Sequence, residues 1–349
     1  MQMNRGQSDK DSLESGLPSG ALDFVFGVLG PGATLAGIAG DASTRRFFRA
    51  TLGGQTAILM VQGTPIEAHS GQSSNYRVLR EIGAPVPRMI AQEDRHGLVL
   101  FEDLGDLSLQ KVVIRGGGDD LGKVRELYLR ACDLIALIQE KGAAALLPED
   151  FASRNALDRE RFLYEMDHFD RHFIRGLLRK APSAVEVTLL RRLYEDLAAD
   201  CDGLPRVYCH RDFQSRNLMV HDGQLGLIDF QDARMGPYTY DAASLLRDSS
   251  LDLAEELVEE MLDYLEETCA ARLGIGREEF RHDLDLMALQ RNIKDLGTFG
   301  YMATVRRRKE YLDYIPRTQA SIRRILLSYR RYHEIYGAFK ELVLSDAYG

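Results

Sequence analysis

The stretch at residues 210–241, HRDFQSRNLMVHDGQLGLIDFQDARMGPYTYD, constrains this chain more than any other. It sets two acids and an amide at fixed separations: Asp212, Asn217 and Asp229. Between Asn217 and Asp229 lies a hairpin signal, in which Leu218, Met219 and Val220 lead to the turn pair Asp222-Gly223 and then to the apolar run from Leu225 to Ile228. A tight hairpin folds the chain back on itself. Asn217 and Asp229 then face one another across a metal-sized gap, with Asp212 beside them. Both offer oxygen, the donor that a hard cation prefers.

The rest of the chain supplies a frame for that stretch. Its 349 residues leave room for about two domains at roughly 150 residues each. A net charge of -9 argues against general binding to nucleic acid, which needs a basic face. The same charge means that an anionic ligand must be held by local features. The cluster Arg306-Arg307-Arg308-Lys309 therefore reads as a solvated loop. No run approaches the ~18 to 20 apolar residues of a membrane span. Residues 1–20 are polar, rich in Ser and Gly, and read as a disordered tail without the apolar core of a signal peptide. The four cysteines are scattered with no C-x-x-C pair, which excludes a zinc or disulfide framework and fits a reducing cytoplasm.

Taken in order, residues 21–29 form a short apolar helix. Residues 33–39, 44–52 and 56–61 then read as three antiparallel strands with a tight loop at 40–43. Small residues such as Gly40 and Ser43 in that loop let backbone N–H groups approach a phosphate, although a plain hairpin turn reads equally from the loop alone. A helix at 65–82 and strands at 88–92 and 98–101 follow. Glu102-Asp103-Leu104-Gly105 makes a hinge-like break. Helical periodicity governs 121–140, 155–178, 185–199, 242–248, 251–273, 277–296 and 317–344. The fold class is therefore α+β. A β-rich N-terminal lobe at 21–105 joins a larger, mainly helical lobe at 106–349, and the ligand cleft lies between them.

The pattern from His210 to Asn217 has the H-R-D-x-x-x-x-N spacing of a kinase catalytic loop, and Ile228-Asp229-Phe230 stands where kinases carry their second metal-binding acid. With its two-lobed order, the chain resembles the aminoglycoside phosphotransferase/kinase superfamily. Gly40-Asp41-Ala42-Ser43-Thr44-Arg45-Arg46-Phe47-Phe48-Arg49 is similar to the G-D-A-S-x-R-R-[YF]-[YF]-R signature of bacterial N-acetylmuramate/N-acetylglucosamine anomeric kinases. The runs 100–106, 228–248 and 290–297 (the last reading QRNIKDLG) are similar to that family too. The resemblance covers residues 21–340. It implies a protein-kinase-like fold, ATP and Mg2+ as cofactors, and transfer of the γ-phosphate to the anomeric hydroxyl of an N-acetylated amino sugar in cell-wall recycling.

On that reading Asp212 is the catalytic base, and Asn217 and Asp229 hold the metal. Gly40, Ser43, Arg46, Glu102 and Leu104 bind the nucleotide. Asp232, Arg247, Arg291 and Lys294 are candidates for touching the sugar, the arginines because a lactyl carboxylate suits a guanidinium fork. His210 is expected to be a buried histidine that bonds the loop backbone, Arg211 an ion-pair partner, and Asp241 a brace through backbone hydrogen bonds. Met60 departs from the kinase pattern by standing where a strand lysine is usual; a basic residue at Arg45, Arg46 or Arg49 is the candidate replacement. Glu67 and Glu81 are the candidates for the helix glutamate that such a lysine would pair with. The expected partner is a small sugar, with no nucleic acid or membrane, and the chain is expected to act as a monomer or weak dimer. Two alternatives stay open: a kinase of another small hydroxyl acceptor (another sugar, an aminoglycoside, choline or homoserine), and a nucleotide-binding module without catalysis.

Overall fold

The computed structural model describes residues 17–18, 20–38, 45–115 and 121–344. The tail reading for 1–20 falls almost entirely outside these residues, as do the positions of Gly40 and Ser43.

An antiparallel five-stranded sheet opens the fold, in the order β1-β2-β3-β5-β4. Its strands are β1 (Thr34–Ile38), β2 (Arg46–Leu52), β3 (Gln55–Val61), β4 (Met89–Glu93) and β5 (Leu98–Glu102). Alternate residues of a strand point to opposite faces, and here both faces are covered. Phe48, Ala50, Ala57, Leu59, Val61, Leu98 and Leu100 pack with Ala21 and Val25 of helix α1 (Ala21–Leu29) into a small separate core. Met60, Val99 and Phe101, on the other face, join the main core, together with Val78 and Leu79 of helix α2 (Gly71–Glu81). Ser70 caps α2 by accepting from the N–H of Ser73, so the helix starts later than residue 65.

Helices α3 (Leu109–Arg115) and α4 (Leu121–Lys141) begin the larger, helical lobe. The long helical pattern at 155–178 resolves into α5 (Arg159–Phe169) followed by a π-helical turn at Asp170–Leu177. Helix α6 (Ala184–Gly203) starts on a capping box in which Ser183 and Glu186 satisfy each other's backbone N–H groups. The opening stretch of the sequence then forms two small ribbons. One pairs β6 (Arg206–Cys209) with β9 (Arg234–Pro237); the other is the hairpin of β7 (Leu218–His221) and β8 (Gln224–Leu227). Asp222 and Gly223 both carry positive φ, 49° and 73°, as the tight hairpin turn demands.

Helices α7 (Tyr240–Leu246), α8 (Glu255–Leu265), α9 (Arg277–Thr304), α10 (Ile315–Ser328) and α11 (His333–Val343) complete the lobe. The buried 28-residue α9 runs through its centre. The sequence pattern ends this helix near residue 296, yet it continues through Gly297 and Gly300. Those glycines mark close approach rather than a stop. A Cβ on Gly297 would sit 2.8 Å from the Cα of Phe169, and one on Gly300 would sit 2.4 Å from the backbone oxygen of His172. Among the described residues no helix is long and apolar enough to cross a membrane.

This packing predicts opposite signs for one substitution at two helical sites. Gly300→Ala should lower stability by about 1–3 kcal/mol through overpacking. Gly337→Ala, in α11 with nothing within 4 Å of the added carbon, should raise it by about 0.5–1 kcal/mol. Urea unfolding curves of the two variants check both.

Candidate active site

The catalytic loop hangs from one buried carboxylate. Asp241, fully buried in the first turn of α7, accepts the N–H groups of His210 at 2.7 Å and Arg211 at 2.9 Å. That grip holds the chain leaving β6 in a tight turn with Arg211 at φ 75°. Burial pushes the Asp241 carboxyl above the usual range despite the nearby His210 and the two N–H bonds. The His210 ring is buried edge-on to Phe213, but its nitrogens have no protein partner among the described residues. It is the His210 backbone, not its ring, that ties the loop, which corrects the expectation from sequence. Arg211 pairs with Glu165 at 3.5 Å and Asp232 at 3.3 Å.

Asp212 follows, on the wall of the cleft. The Asn217 amide nitrogen donates to the Asp212 backbone oxygen at 2.9 Å, which leaves the amide oxygen as the free donor atom. The Asn217 backbone oxygen accepts the N–H of Ile228 at 3.0 Å, so the hairpin returns Asp229 to the side of Asn217. Asp229 itself adopts the left-handed conformation, φ 66° and ψ 40°, which aspartate tolerates better than most residues. Phe230 then turns inward against Phe101 and Tyr76, with ring centroids 6.4 and 5.8 Å away. Asp212, Asn217 and Asp229 all line one cleft of about 790 Å³ between the sheet and the helices.

Burial alone would raise the Asp212 carboxyl. The positive charges of Arg211, Lys294 and Arg291 outweigh it and hold the group at about 2. Lys294 lines the cleft from α9, with Asp295 3.7 Å away. Behind it the buried Glu165 accepts from Gln290 at 2.8 Å. Burial raises Glu165, but Lys294 and Arg211 pull it below the usual range.

On the sheet side of the cleft, Ile58 and Met60 line the position where a lysine is usual. Strand alternation decides among the arginines. Arg46 pairs in register with Val61, shares the face of Phe48 and Ala50, and is exposed away from the cleft, so its assignment to the nucleotide is corrected. Arg45, Phe47 and Arg49 face the cleft. Arg45 donates to Asp229 Oδ1 at 3.0 Å and lies 3.9 Å from the Met60 sulfur. Arg49 grips both acids of the connecting segment, Asp103 at 2.6 Å and Asp106 at 2.8 Å. Glu102 and Leu104 line the cleft from that segment. Glu67 is exposed and Glu81 pairs with Arg77, so neither faces the cleft. The α2 residue that does is Gln72, whose buried amide nitrogen has no protein partner among the described residues.

The expected acceptor residues separate. Asp232 lines the cleft but is held by Arg234 at 2.8 Å as well as by Arg211. Arg247 is turned aside to Glu255 at 3.1 Å and does not line the cleft. Arg291 is buried behind the loop, with its guanidinium 4.7 Å from the Tyr240 ring and donating to the Arg211 backbone oxygen at 3.3 Å. Both arginines are therefore corrected from substrate contacts to structural braces: one is drawn off by a neighbouring acid, the other by an aromatic face and a carbonyl. Sequence reasoning missed the far wall of the cleft, formed by Phe299, Tyr311 and Tyr314 in mutual contact and by Arg308 over Tyr311 at 5.2 Å. The aromatic residues after the basic run 306–309 were its one available signal.

The fold and this constellation define a kinase-like phosphotransferase. The model of the phosphotransferase enzyme family matches residues 34–278, and the chain belongs to that family. It is 30% identical over 344 residues to an N-acetylmuramate/N-acetylglucosamine kinase of Neisseria meningitidis, covering 98% of this chain and 97% of that one. A protein of the same description from Pseudomonas aeruginosa is 30% identical over 308 residues, 87% of each chain. Among solved structures, a choline/ethanolamine kinase family protein from Mesorhizobium loti is similar with a TM-score of 0.57 at 16% identity, covering 95% of this chain and 99% of that one. A thermostable mutant of an aminoglycoside phosphotransferase, solved with AMP-PNP and hygromycin B, is similar with a TM-score of 0.56 at 17% identity, over 87% and 98% of the two chains.

The low Asp212 carboxyl has a signature in stability. Its value is about 2 in the fold against 3.8 ordinarily, so the unfolded chain takes up the proton first as pH falls. Its contribution is complete above about pH 4 and is lost between there and about pH 2. The difference in unfolding free energy between wild type and Asp212→Asn should therefore stay constant from about pH 7 to about pH 5 and shrink only below about pH 4. A difference already shrinking near neutral pH would contradict the assignment.

Proposed function

We propose that this enzyme transfers the γ-phosphate of ATP to the anomeric hydroxyl of N-acetylmuramate or N-acetylglucosamine. The observation that carries the reading is the convergence of Asp212, Asn217 and Asp229 in one cleft that continues to an aromatic wall. Ile38, Ile58, Leu104, Met219 and Ile228 offer an apolar slot for the nucleotide base, flanked by Glu102. Asn217 and Asp229 suit a hard cation. Among the described residues no three acidic, histidine or cysteine side chains converge as a metal cage. One carboxylate and one amide are what magnesium takes when nucleotide phosphates and water complete its shell. Bound there, magnesium would neutralise charge on the phosphates.

Asp212 orients the acceptor hydroxyl and takes its proton. An anomeric hydroxyl is more acidic than an ordinary alcohol, so a plain carboxylate is an adequate base for it. Phe299, Tyr311 and Tyr314 provide apolar surface for a sugar ring, and Lys294 and Arg308 provide positive charge beside it. The relatives described as N-acetylmuramate/N-acetylglucosamine kinases support the choice of sugar.

Asp212→Ala should lower sugar-dependent ADP release by about 10²–10⁴-fold while AMP-PNP binds as before. Near-normal turnover in that variant would remove the proposed base. The 1-O-methyl glycoside of N-acetylglucosamine should not be phosphorylated. Mass detection of a phosphorylated glycoside would move the transfer to another hydroxyl.

A further inference from the structure

We propose that Arg45 replaces the missing strand lysine, and that in the nucleotide-free enzyme its guanidinium stands in for the metal at Asp229. The proposal rests on the phosphotransferase reading of the cleft.

Three observations carry it. First, β3 contains no basic residue, and Met60 at the usual lysine position is buried at 2% exposure. Second, three other cations along the cleft face acids of the surrounding framework: Arg49 is held by Asp103 and Asp106, Lys294 by Asp295, and Arg308 by Glu310. Arg45 faces an acid of the reaction centre itself. Third, its Nη2 lies 3.0 Å from Asp229 Oδ1, with the Arg45 side chain only 12% exposed.

A guanidinium at that distance occupies one of the carboxylate oxygens, Oδ1, that Asp229 could offer a cation. Two positive charges repel one another at a single carboxylate oxygen. Arg45 and a metal ion are therefore competitors at Asp229. A metal ion binding there with a nucleotide would free Arg45 within the same cleft, beside a polyanion. Its planar fork matches phosphate oxygens. The ion pair thus has two parts to play. It satisfies Asp229 while the cleft is empty, and it keeps a phosphate-binding cation within reach.

The test separates the two parts and does not depend on turnover. Mn2+, followed by electron paramagnetic resonance without nucleotide, should bind Arg45→Met about tenfold more tightly than wild type, because its competitor is gone. Adding Asp229→Asn to that variant should abolish the gain. Calorimetry with Mg2+ and AMP-PNP should show Arg45→Met binding the nucleotide about tenfold more weakly, and Arg45→Lys recovering much of the loss. Arg45→Gln, which keeps length and polarity, repeats both measurements should the methionine variant unfold. Equal Mn2+ affinity in wild type and both variants would overturn the stand-in role, as would a gain that survives Asp229→Asn. Unchanged AMP-PNP affinity would overturn the phosphate role. If wild type phosphorylates no amino sugar but the Mn2+ gain is present, the assigned reaction falls and the competition at Asp229 stands.

Discussion

Everything at the reaction centre hangs from the buried Asp241 carboxylate. Taking a charge out of water is costly unless it is paired or well hydrogen-bonded. Here two consecutive N–H groups point at it, and burial still pushes the group upward. The arrangement is therefore not explained by stability alone. It supplies direction. By fixing the N–H groups of His210 and Arg211, it forces the turn at Arg211, which sends the Arg211 side chain back to Glu165 and Asp232 and leaves Asp212 at the cleft. Asn217 is then placed by the Asp212 carbonyl, and Ile228, next to Asp229, by the carbonyl of Asn217. Each group is set by the backbone of the one before it.

The second constraint is charge. Arg211, Lys294 and Arg291 surround Asp212, and Glu165 and Asp232 lie behind or beside them. So many charges at close quarters persist only because the signs alternate. The consequence is that the Asp212 carboxyl is held well below the usual range. Phosphoryl transfer with a loose transition state asks little of a base until late in the reaction, so orientation matters more than proton affinity. In the proposed reaction, the same cations that weaken Asp212 as a base would keep it ready as an acceptor of the substrate O–H.

What was legible in the sequence was local. The positions of Asp212, Asn217 and Asp229 follow from short spacings and from a turn pair that only a tight hairpin accommodates. The strand segments around residues 34–102 were readable for the same reason; their order in the sheet was not. The side of the sheet taken by each arginine was not. In Arg45-Arg46-Phe47-Phe48-Arg49 both alternations are equally amphipathic, and both faces of β2 are covered, one by α1 and the other by the cleft. Polarity therefore cannot choose between Arg45 and Arg46. Arg247 and Arg291 look alike as helical arginines until their neighbours are known, and those neighbours, Glu255 and Tyr240, come from other elements. Gly297 reads as a helix stop because the close approach of Phe169 is a long-range fact.

The two halves of the molecule are joined at Asp229 by bonds of two different kinds. On the helix side, Asn75 of α2 donates to the backbone oxygens of Phe230, Gln231 and Ala233 at 2.9–3.1 Å, while its own oxygen accepts from Tyr208 at 3.0 Å. Gly71 lies so close that an added Cβ would stand 2.0 Å from the Gln231 oxygen. These contacts are short, neutral and buried, and no charged ligand competes for them. On the strand side the tie is the ion pair from Arg45 to Asp229, and an ion pair exchanges when another charge arrives. In kinases whose strand lysine needs a helix glutamate, the helix must be in place to complete the site. Here α2 presents a neutral Gln72 to the cleft and is fixed to the Asp229 loop already. With the lysine gone, a helix glutamate would have no partner to hold.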